Sequence, residues 1–517
     1  MLFRIQKKGL IYFMSGEIIA FVLYFVAMLG IGIYFFATTK SNGEKEYFLG
    51  SRKMGPWVTA MSAQSSDMSA WLLMGLPGSI IAFGLGQAWI GIGLAIGTAL
   101  NWIFVAKRLR KFSQAAGDAI TLPQYLTNRF AAKSSALKII CAVVFLISFT
   151  IYVASAFSAG AKVFNQLFPS LPIDVAMIIF AAIILTYTFL GGYKAVCWTD
   201  FFQGILMLVA LLAVPIVMIF FGNKDATLLN KAVTDSGGTV YTFVTNLFSA
   251  SPIDIISGLA WGLGYFGMPH IIIRFMSIEK PSMVKKSATV AIIWVVLTLA
   301  ATIVLAYIGR MFIIDGASFA ETLLSSGHQE LIFVKLTRYI FPSFIAGILL
   351  AAIIAASMST ADSQLLVASS SFTSDIYKPI IHKNASQKEL LWVGRIVVMI
   401  VAVIAYFIAS SKGEGAQAIM DMVSNAWALF GASFGPVILL SLFWRNFTYK
   451  GAVSGIVAGA VVDILWLIFL SSTGIYEIIP GFIACTVVAV VVSLFDKKPG
   501  EEVHAIFNKA TNPDIDA

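Results

Sequence analysis

The sequence predicts an all-α membrane protein of about thirteen transmembrane helices, at roughly 20 residues per span. Two inverted five-helix repeats form its centre, with one extra helix before them and two after. Three observations carry this reading. The 517 residues are 59% apolar and only 12% charged, with a mean hydropathy of +0.88, whereas a soluble chain carries about 25% charged residues. Two apolar segments, SSDMSAWLLMGLPG at 65–78 and GLAWGLGYFGMPH at 258–270, are interrupted where a membrane helix should be continuous. Each interruption opens a group of five spans, and an odd number forces the second group into the membrane upside down relative to the first.

The expected spans lie near 15–37, 57–83, 86–108, 135–164, 173–190, 198–222, 253–276, 286–313, 343–372, 390–410, 420–444, 450–471 and 476–495. Residues 1–56 form a peripheral helix and linker, 57–222 the first repeat and 253–445 the second. Residues 446–496 hold two peripheral helices and 497–517 a cytoplasmic tail. The polar insert 223–252 is too short for a separate domain. In the twelfth span Gly451, Gly455 and Gly459 are spaced for close helix packing. Gly91, Gly93 and Gly97 read as packing residues too, since no strand precedes them as a nucleotide loop would require.

The net charge of +9 does not point to nucleic acid, because the basic residues gather in loops. With the N-terminus outside, about 25 of the 35 Lys and Arg fall on the inner side and about 10 on the outer, which makes the C-terminus cytoplasmic. Arg4, Lys7 and Lys8 oppose that orientation, and they precede a second methionine, Met14, which is the expected native start. Cys141, Cys197 and Cys485 lie in or beside apolar spans without metal spacing and are expected to be packing residues.

The breaks carry the functional argument. Backbone amides and carbonyls left unpaired in hydrocarbon survive only where they line protein or a cavity. Paired broken helices in corresponding positions of two repeats point to the binding site of a secondary transporter. An Asp near a helix centre costs about 2.5–3.5 kcal/mol on insertion scales and faces a cavity or a partner. Asp67 lies in the first break, Asp200 near the start of the sixth span, and Asp362 in the hydroxyl-rich stretch SMSTADS of the ninth. Ser359, Asp362 and Ser363 share a helix face, three and four residues apart. Such hard oxygens suit a small alkali cation. The competing readings are ordinary ones: backbone-bonded hydroxyls, a solvated Asp200 at the interface, and a core stripe at Trp261 and Tyr265. His270 is either a gate or an interface residue. No Arg or Lys stands at the break to clamp a dianion, and Asp362 has no basic partner nearby in sequence.

An enzyme is not expected, since neither HExxH nor a GxSxG elbow occurs. A channel would show a pore loop or charge ring. A sensor would share the binding site but would need a signalling domain, for which the tail is too short.

At these residues the chain resembles the sodium/solute symporter family. The stretches that carry the likeness are SSDMSAWLLMGLPG, FTIYVASAFSAGA at 149–161, YTFLGGYKAVCWTD at 187–200, WGLGYFGMPHIIIRFM at 261–276 and AAIIAASMSTADSQLLVASS at 351–370. The resemblance implies a LeuT-type five-plus-five fold in a multi-pass protein of the bacterial cell membrane. It also implies Na+ as the co-transported ion, no organic cofactor, and L-proline or a similar small solute as cargo. The main Na+ site would be backbone oxygens of Ser65, Met68 and Ala356 with the hydroxyls of Ser359 and Thr360. Asp67 matches a residue needed for sodium coupling. Asp200, with Ser359, Asp362 and Ser363, matches the place where some members hold a second ion. The solute site would map onto Ser69, Trp71, Gly75, Tyr152, Trp261, Tyr265 and Pro269. Ser65 and Ala70 depart from the Ala and Gly of the proline-carrier pattern; a backbone ligand survives the first change, and the second reshapes the pocket.

Proline is a compact zwitterion. Helix N-terminal amides at a break can bind its carboxylate, and Trp261 and Tyr265 can wall its ring, with a cation–π contribution of about 0.5–2 kcal/mol.

Overall fold

The computed structural model describes residues 2–38, 44–190, 192–314, 316–412 and 418–512. The chain runs through α1 (Leu2–Thr38), α2 (Pro56–Asp67), α3 (Trp71–Phe83), α4 (Leu85–Ala115), α5 (Ala136–Leu167), α6 (Ile173–Leu190) and α7 (Tyr193–Phe221). It continues through α8 (Pro252–Phe266), α9 (Pro269–Ser277), α10 (Pro281–Met311), α11 (Ser343–Ile381), α12 (Gln387–Lys412) and α13 (Ala418–Phe443). The last three are α14 (Tyr449–Phe469), α15 (Ile478–Phe495) and α16 (Glu501–Thr511). Each expected span falls on helix. Among the described residues, ten stretches are long and apolar enough to cross a membrane, and α8 with α9 makes an eleventh, bent by 44°. The expected span 57–83 falls short of that test because it is cut into α2 and α3, and the apolar part of α6, Ile173–Thr186, is short.

Helix starts follow local chemistry. Ser251 Oγ accepts from Asp254 N at 3.1 Å ahead of Pro252 at the first turn of α8, and Thr448 Oγ1 accepts from Gly451 N at 3.1 Å to cap α14. The breaks also have local causes. Pro269 lacks an N–H and pushes Met268 out of the helical region, to φ −78° and ψ 106°. Helix α2 ends at Met68, whose ψ is 73°. Pro77 then leaves the ladder of α3 short of a donor, and residues 71–75 widen into a π-type turn. Thr302 Oγ1 on α10 donates to Leu72 O at 3.3 Å and satisfies a carbonyl of that turn.

The two broken helices run antiparallel. At one end Met54 N, just before α2, donates to Ser277 O at 3.3 Å, at the end of α9. At the other, Leu85 N, just after α3, donates to Val244 O at 2.9 Å, in the segment leading to α8. Opposite insertion of the two five-helix groups requires this pairing. Close approach fixes it. A Cβ at Gly97 of α4 would lie 2.3 Å from Gly262 O and one at Gly93 2.5 Å from Gly258 O, so these two glycines serve packing against the second broken helix, while Gly91 faces Ile303 of α10. Gly455 of α14 packs on Ala489 of α15 in the same way.

The helical fold carries two short additions outside the spans: two-residue ladders pair Val233–Thr234 with Val240–Tyr241 and Ile313–Ile314 with Ala317–Ser318. After 496, α16 docks Phe507 against Phe112 at 5.3 Å, with the Arg129 guanidinium 5.1 Å from the Phe507 ring.

Candidate functional site

Helices α2, α3, α8 and α9 bring their broken ends together in the interior, flanked by α5, α11 and α13. Asp67, the last residue of α2, is fully buried. Its Oδ2 accepts a 2.5 Å hydrogen bond from the Tyr265 hydroxyl in the second break, and its Oδ1 has no hydrogen-bond partner. The Asp67 carbonyl accepts from Tyr152 OH and from Trp71 Nε1, each at 3.4 Å. One residue therefore links both breaks and α5.

Aromatic rings line this junction. Trp71 and Trp261 lie 6.3 Å apart, and both are buried, as are Tyr152 and Tyr265. Ser69 Oγ accepts from Trp71 N at 3.4 Å. Gly75 lies where a Cβ would meet Met420 Sδ at 3.5 Å, and Pro269 is buried at the first position of α9. The seven expected solute-site residues thus sit on α5 and at or beside the two breaks.

The expected cation residues also converge. Ser359 Oγ on α11 lies 2.8 Å from Ser65 O on α2 and 3.2 Å from Ala356 O. Thr360 Oγ1, one residue on, is buried without a hydrogen-bond partner. Met68, which caps α2 three residues after Ser65, is fully buried. A buried, unsatisfied Thr360 hydroxyl one residue after Ser359, whose own hydroxyl meets two carbonyls, fits a hard monovalent cation as cargo.

Sequence reasoning missed four residues. Trp427 on α13 donates to Trp261 O at 2.8 Å and meets the Tyr265 ring edge-on at 5.0 Å. Tyr476 stacks on Trp261 at 5.2 Å. Asn101 Nδ2 donates to Tyr265 O at 3.0 Å. The fourth is Arg274 on α9, whose Nη2 lies 3.2 Å from Asp200 Oδ2 and 2.5 Å from Ser363 Oγ. No basic residue was expected at the break or near Asp362 in sequence; Arg274 pairs instead with Asp200, 74 positions away, from α9 to α7. Its signal was present, as a lone arginine inside the apolar run PHIIIRFM. His270 packs its ring 5.8 Å from Phe149 and 6.3 Å from Tyr152, behind the aromatic cluster.

A charged cluster ties the chain together at each end of the broken-helix pair, as a seal over the helix ends. At the Met54 end, Arg52 is buried and donates to Asp118 Oδ1 at 2.7 Å, Ala119 O at 2.8 Å, Ser113 Oγ at 3.1 Å and Met276 O. At the opposite end, Lys162 Nζ on α5 pairs with Glu330 Oε2 at 2.5 Å, while Glu330 Oε1 accepts from Ile419 N at 3.2 Å, at the start of α13.

The family model "Sodium:solute symporter family" matches residues 47–459. The chain belongs to the sodium:solute symporter family. Among its symporter relatives, a protein named "Sodium/proline symporter" from Haemophilus influenzae is 41% identical over 499 residues, covering 96% of this chain and 97% of that one. One of the same name from Staphylococcus aureus is 42% identical over 502 residues, covering 95% of each. The fold is that of solved symporters. A Na+-coupled sialic acid symporter in a substrate-bound, outward-open state aligns with a TM-score of 0.71 at 18% identity, over 94% of this chain and 98% of that one. A nucleobase-cation-symport-1 family transporter in a closed conformation aligns with a TM-score of 0.55 at 14% identity, over 91% and 99%. The LeuT-type expectation for this symporter-family chain agrees with both likenesses, and the chain is a multi-pass membrane protein.

Proposed function

We propose that the chain takes up L-proline by sodium-coupled symport, through alternating access. The observation that carries the reading is the Tyr265–Asp67 hydrogen bond, which ties the solute-facing break to the end of the helix that supplies Ser65 to the cation set. Sodium at Ser65, Met68, Ala356, Ser359 and Thr360 fixes α2 against α11. That in turn sets Asp67 and the Tyr265 hydroxyl beside a solute held by Ser69, Trp71, Gly75, Tyr152, Trp261 and Pro269. Each ligand then raises the affinity for the other by the same factor.

The names of the two relatives support proline as cargo, and a pocket walled by Trp71, Trp261 and Tyr265 suits its ring and secondary ammonium. Residues 57–222 and 253–445 act as the two inverted repeats, with 1–56, 446–496 and the 497–517 tail outside them. The N-terminus faces outward and the C-terminus the cytoplasm of a bacterial cell, as the basic loops require. The Arg52 seal is then cytoplasmic and the Lys162–Glu330 seal external. The driving force is the sodium gradient plus about 2.3 kcal/mol per charge for each 100 mV.

The deciding experiment is uptake of labelled L-proline into proteoliposomes under an inward sodium gradient, with a potassium control at matched membrane potential. Accumulation with sodium alone is expected. Equal uptake in both, or none, would overturn the reading; a proton gradient and a panel of other small solutes would then separate proton coupling, another cargo and a solute sensor.

A further inference from the structure

Tyr476 lies outside both five-helix groups, in the segment 470–477 between α14 and α15, yet it reaches the second break. Its ring stacks on Trp261 with centroids 5.2 Å apart and planes at 26°, and it is 8% exposed. The segment is tied to three helices. Ser257 Oγ on α8 donates to Gly474 O at 3.2 Å and accepts from Tyr476 N at 3.1 Å. The Tyr476 hydroxyl donates to Ser424 O on α13 at 2.8 Å, and Trp466 Nε1 on α14 donates to Ile475 O at 3.1 Å. Gly474, at φ +72°, makes the left-handed turn that only glycine takes without strain.

Seating of the peripheral helices does not call for this contact. A Cβ at Gly459 of α14 would lie 2.4 Å from Ala432 O on α13, and one at Gly481 of α15 would lie 2.7 Å from Ala432 Cβ. Both helices are thus already packed closely on α13 through glycines. Tyr476 does something else, since it carries the peripheral pair onto α8. Trp427 Nε1 holds the Trp261 carbonyl at 2.8 Å and so fixes the backbone, whereas Tyr476 bears on the indole itself. Stacked rings hold each other's plane, and a tyrosine whose hydroxyl and amide are both bonded is a rigid partner.

We infer that Tyr476 is a positioning residue for solute selection: by holding the Trp261 indole, it fixes the wall that decides how large a solute ring the site takes. The inference rests on the proline reading above. It gives helices outside the repeats a part in specificity. That part lies at the Lys162–Glu330 end, because Ser424 follows just after Ile419, whose N–H meets Glu330. A fixed apolar wall discriminates against one extra methylene by about 10–200-fold, and a ring free to tilt gives that advantage up.

The test compares sodium-driven uptake of labelled L-proline and of L-pipecolate, its homologue with one more ring methylene, in proteoliposomes of the full chain. Wild type, Tyr476→Phe, Tyr476→Ala and Ser257→Ala are measured, and the readout is the ratio of kcat/KM for the two solutes. Wild type is expected to favour L-proline by about tenfold or more, the low end for one methylene. Y476F keeps the stacked ring and should keep the ratio. Y476A should bring the ratio to within about threefold of unity, through a raised KM for L-proline with kcat nearly unchanged. S257A loosens the segment from α8 and should fall between. A merely structural role would lower folded protein and kcat for both solutes alike and leave the ratio where it was. A folded Y476A with the wild-type ratio therefore overturns the inference, as does a wild type that takes both solutes equally. A Y476F that loses the ratio overturns it too, since the hydroxyl and not the stacked ring would then be responsible. If Y476A does not fold, S257A decides from its half-buried position, and an unchanged ratio overturns the inference. Failure of wild type to take up L-proline would instead defeat the proline reading itself, and the inference with it.

Discussion

The Tyr265 hydroxyl donates a 2.5 Å hydrogen bond to Asp67 Oδ2, so that the two broken helices meet through one proton donor and one carboxylate oxygen. Neither group touches solvent. Tyr265→Phe removes the donor and little else. Leaving a buried acceptor without its donor costs about 1–3 kcal/mol, so the sodium concentration for half-maximal uptake should rise by about five- to a hundredfold, each 1.4 kcal/mol being tenfold. The solute constant should rise with it, because the two affinities are linked. Sodium titrations of uptake check this, and an unchanged sodium constant would show that the bond serves packing alone.

Thr360 gives a prediction in which affinity and stability move apart. Its hydroxyl is buried with no hydrogen-bond partner, a state that costs about 1–3 kcal/mol where nothing binds it. Thr360→Val keeps the shape and deletes the oxygen. Sodium binding should weaken at least about tenfold, one ligand's worth at 1.4 kcal/mol, while the thermal midpoint without sodium stays or rises. Ser359→Ala should lower both, because that hydroxyl lies within hydrogen-bond reach of Ser65 O and Ala356 O. A Thr360→Val protein with unaltered 22Na+ affinity would remove Thr360 from the cation set.

A third prediction concerns the floor of the solute site. A Cβ at Gly264 would come 2.0 Å from Trp427 Nε1, the atom that donates to Trp261 O. Gly264→Ala must displace the indole, and overpacking of this kind costs about 1–3 kcal/mol. Gly30→Ala on α1, with nothing within 4 Å of the added Cβ, is the matched control and should be neutral or slightly stabilising. Thermal unfolding in detergent reads both. Equal midpoints for the two variants would mean that Trp427 is not locked against the break.

What the sequence made legible was what is written in contiguous runs. The two interruptions, the three intramembrane aspartates and the SMSTADS face are local, and Pro269 or Asp67 can be read without knowing what lies across from them. The partners were not legible, because they depend on which helix packs where. Trp427 looks like any tryptophan in an apolar span, and Asn101 like a polar residue at the end of one. Arg274 was visible as a charge in an apolar run, yet its pairing with Asp200 exists only once α9 lies against α7. The charged clusters at Arg52 and Glu330 were equally out of reach, since each meets partners distant in sequence, Met276 for Arg52 and Lys162 for Glu330.

The seal around Arg52 separates a strong contact from a weak one by burial. Arg52 is buried and serves four acceptors, two of them the backbone carbonyls of Ala119 and Met276. Asp118, its charged partner, is 41% exposed in its side chain and also pairs with Lys45. Burial acts to raise the Asp118 carboxyl, but Lys45 and Arg52 outweigh it and hold it below the usual carboxylate range. A carboxyl lowered in the folded state stabilises above its unfolded value, about 3.9, and loses that contribution only as pH falls through the folded value. The ion pair therefore stays intact from about pH 5 upward and gives uptake no pH dependence near neutrality. An exposed pair contributes about 0.2–1 kcal/mol, so Asp118→Asn should loosen the seal only a few-fold. Arg52→Gln leaves buried carbonyls unpaired at about 1–3 kcal/mol each, and should expose residues 44–54 to hydrogen exchange about ten- to a hundredfold faster. Exchange of that segment, measured in both variants at pH 6 and 8, decides the matter. Equal effects from the two substitutions would mean that the charge pair, not the buried guanidinium, holds the inner end shut.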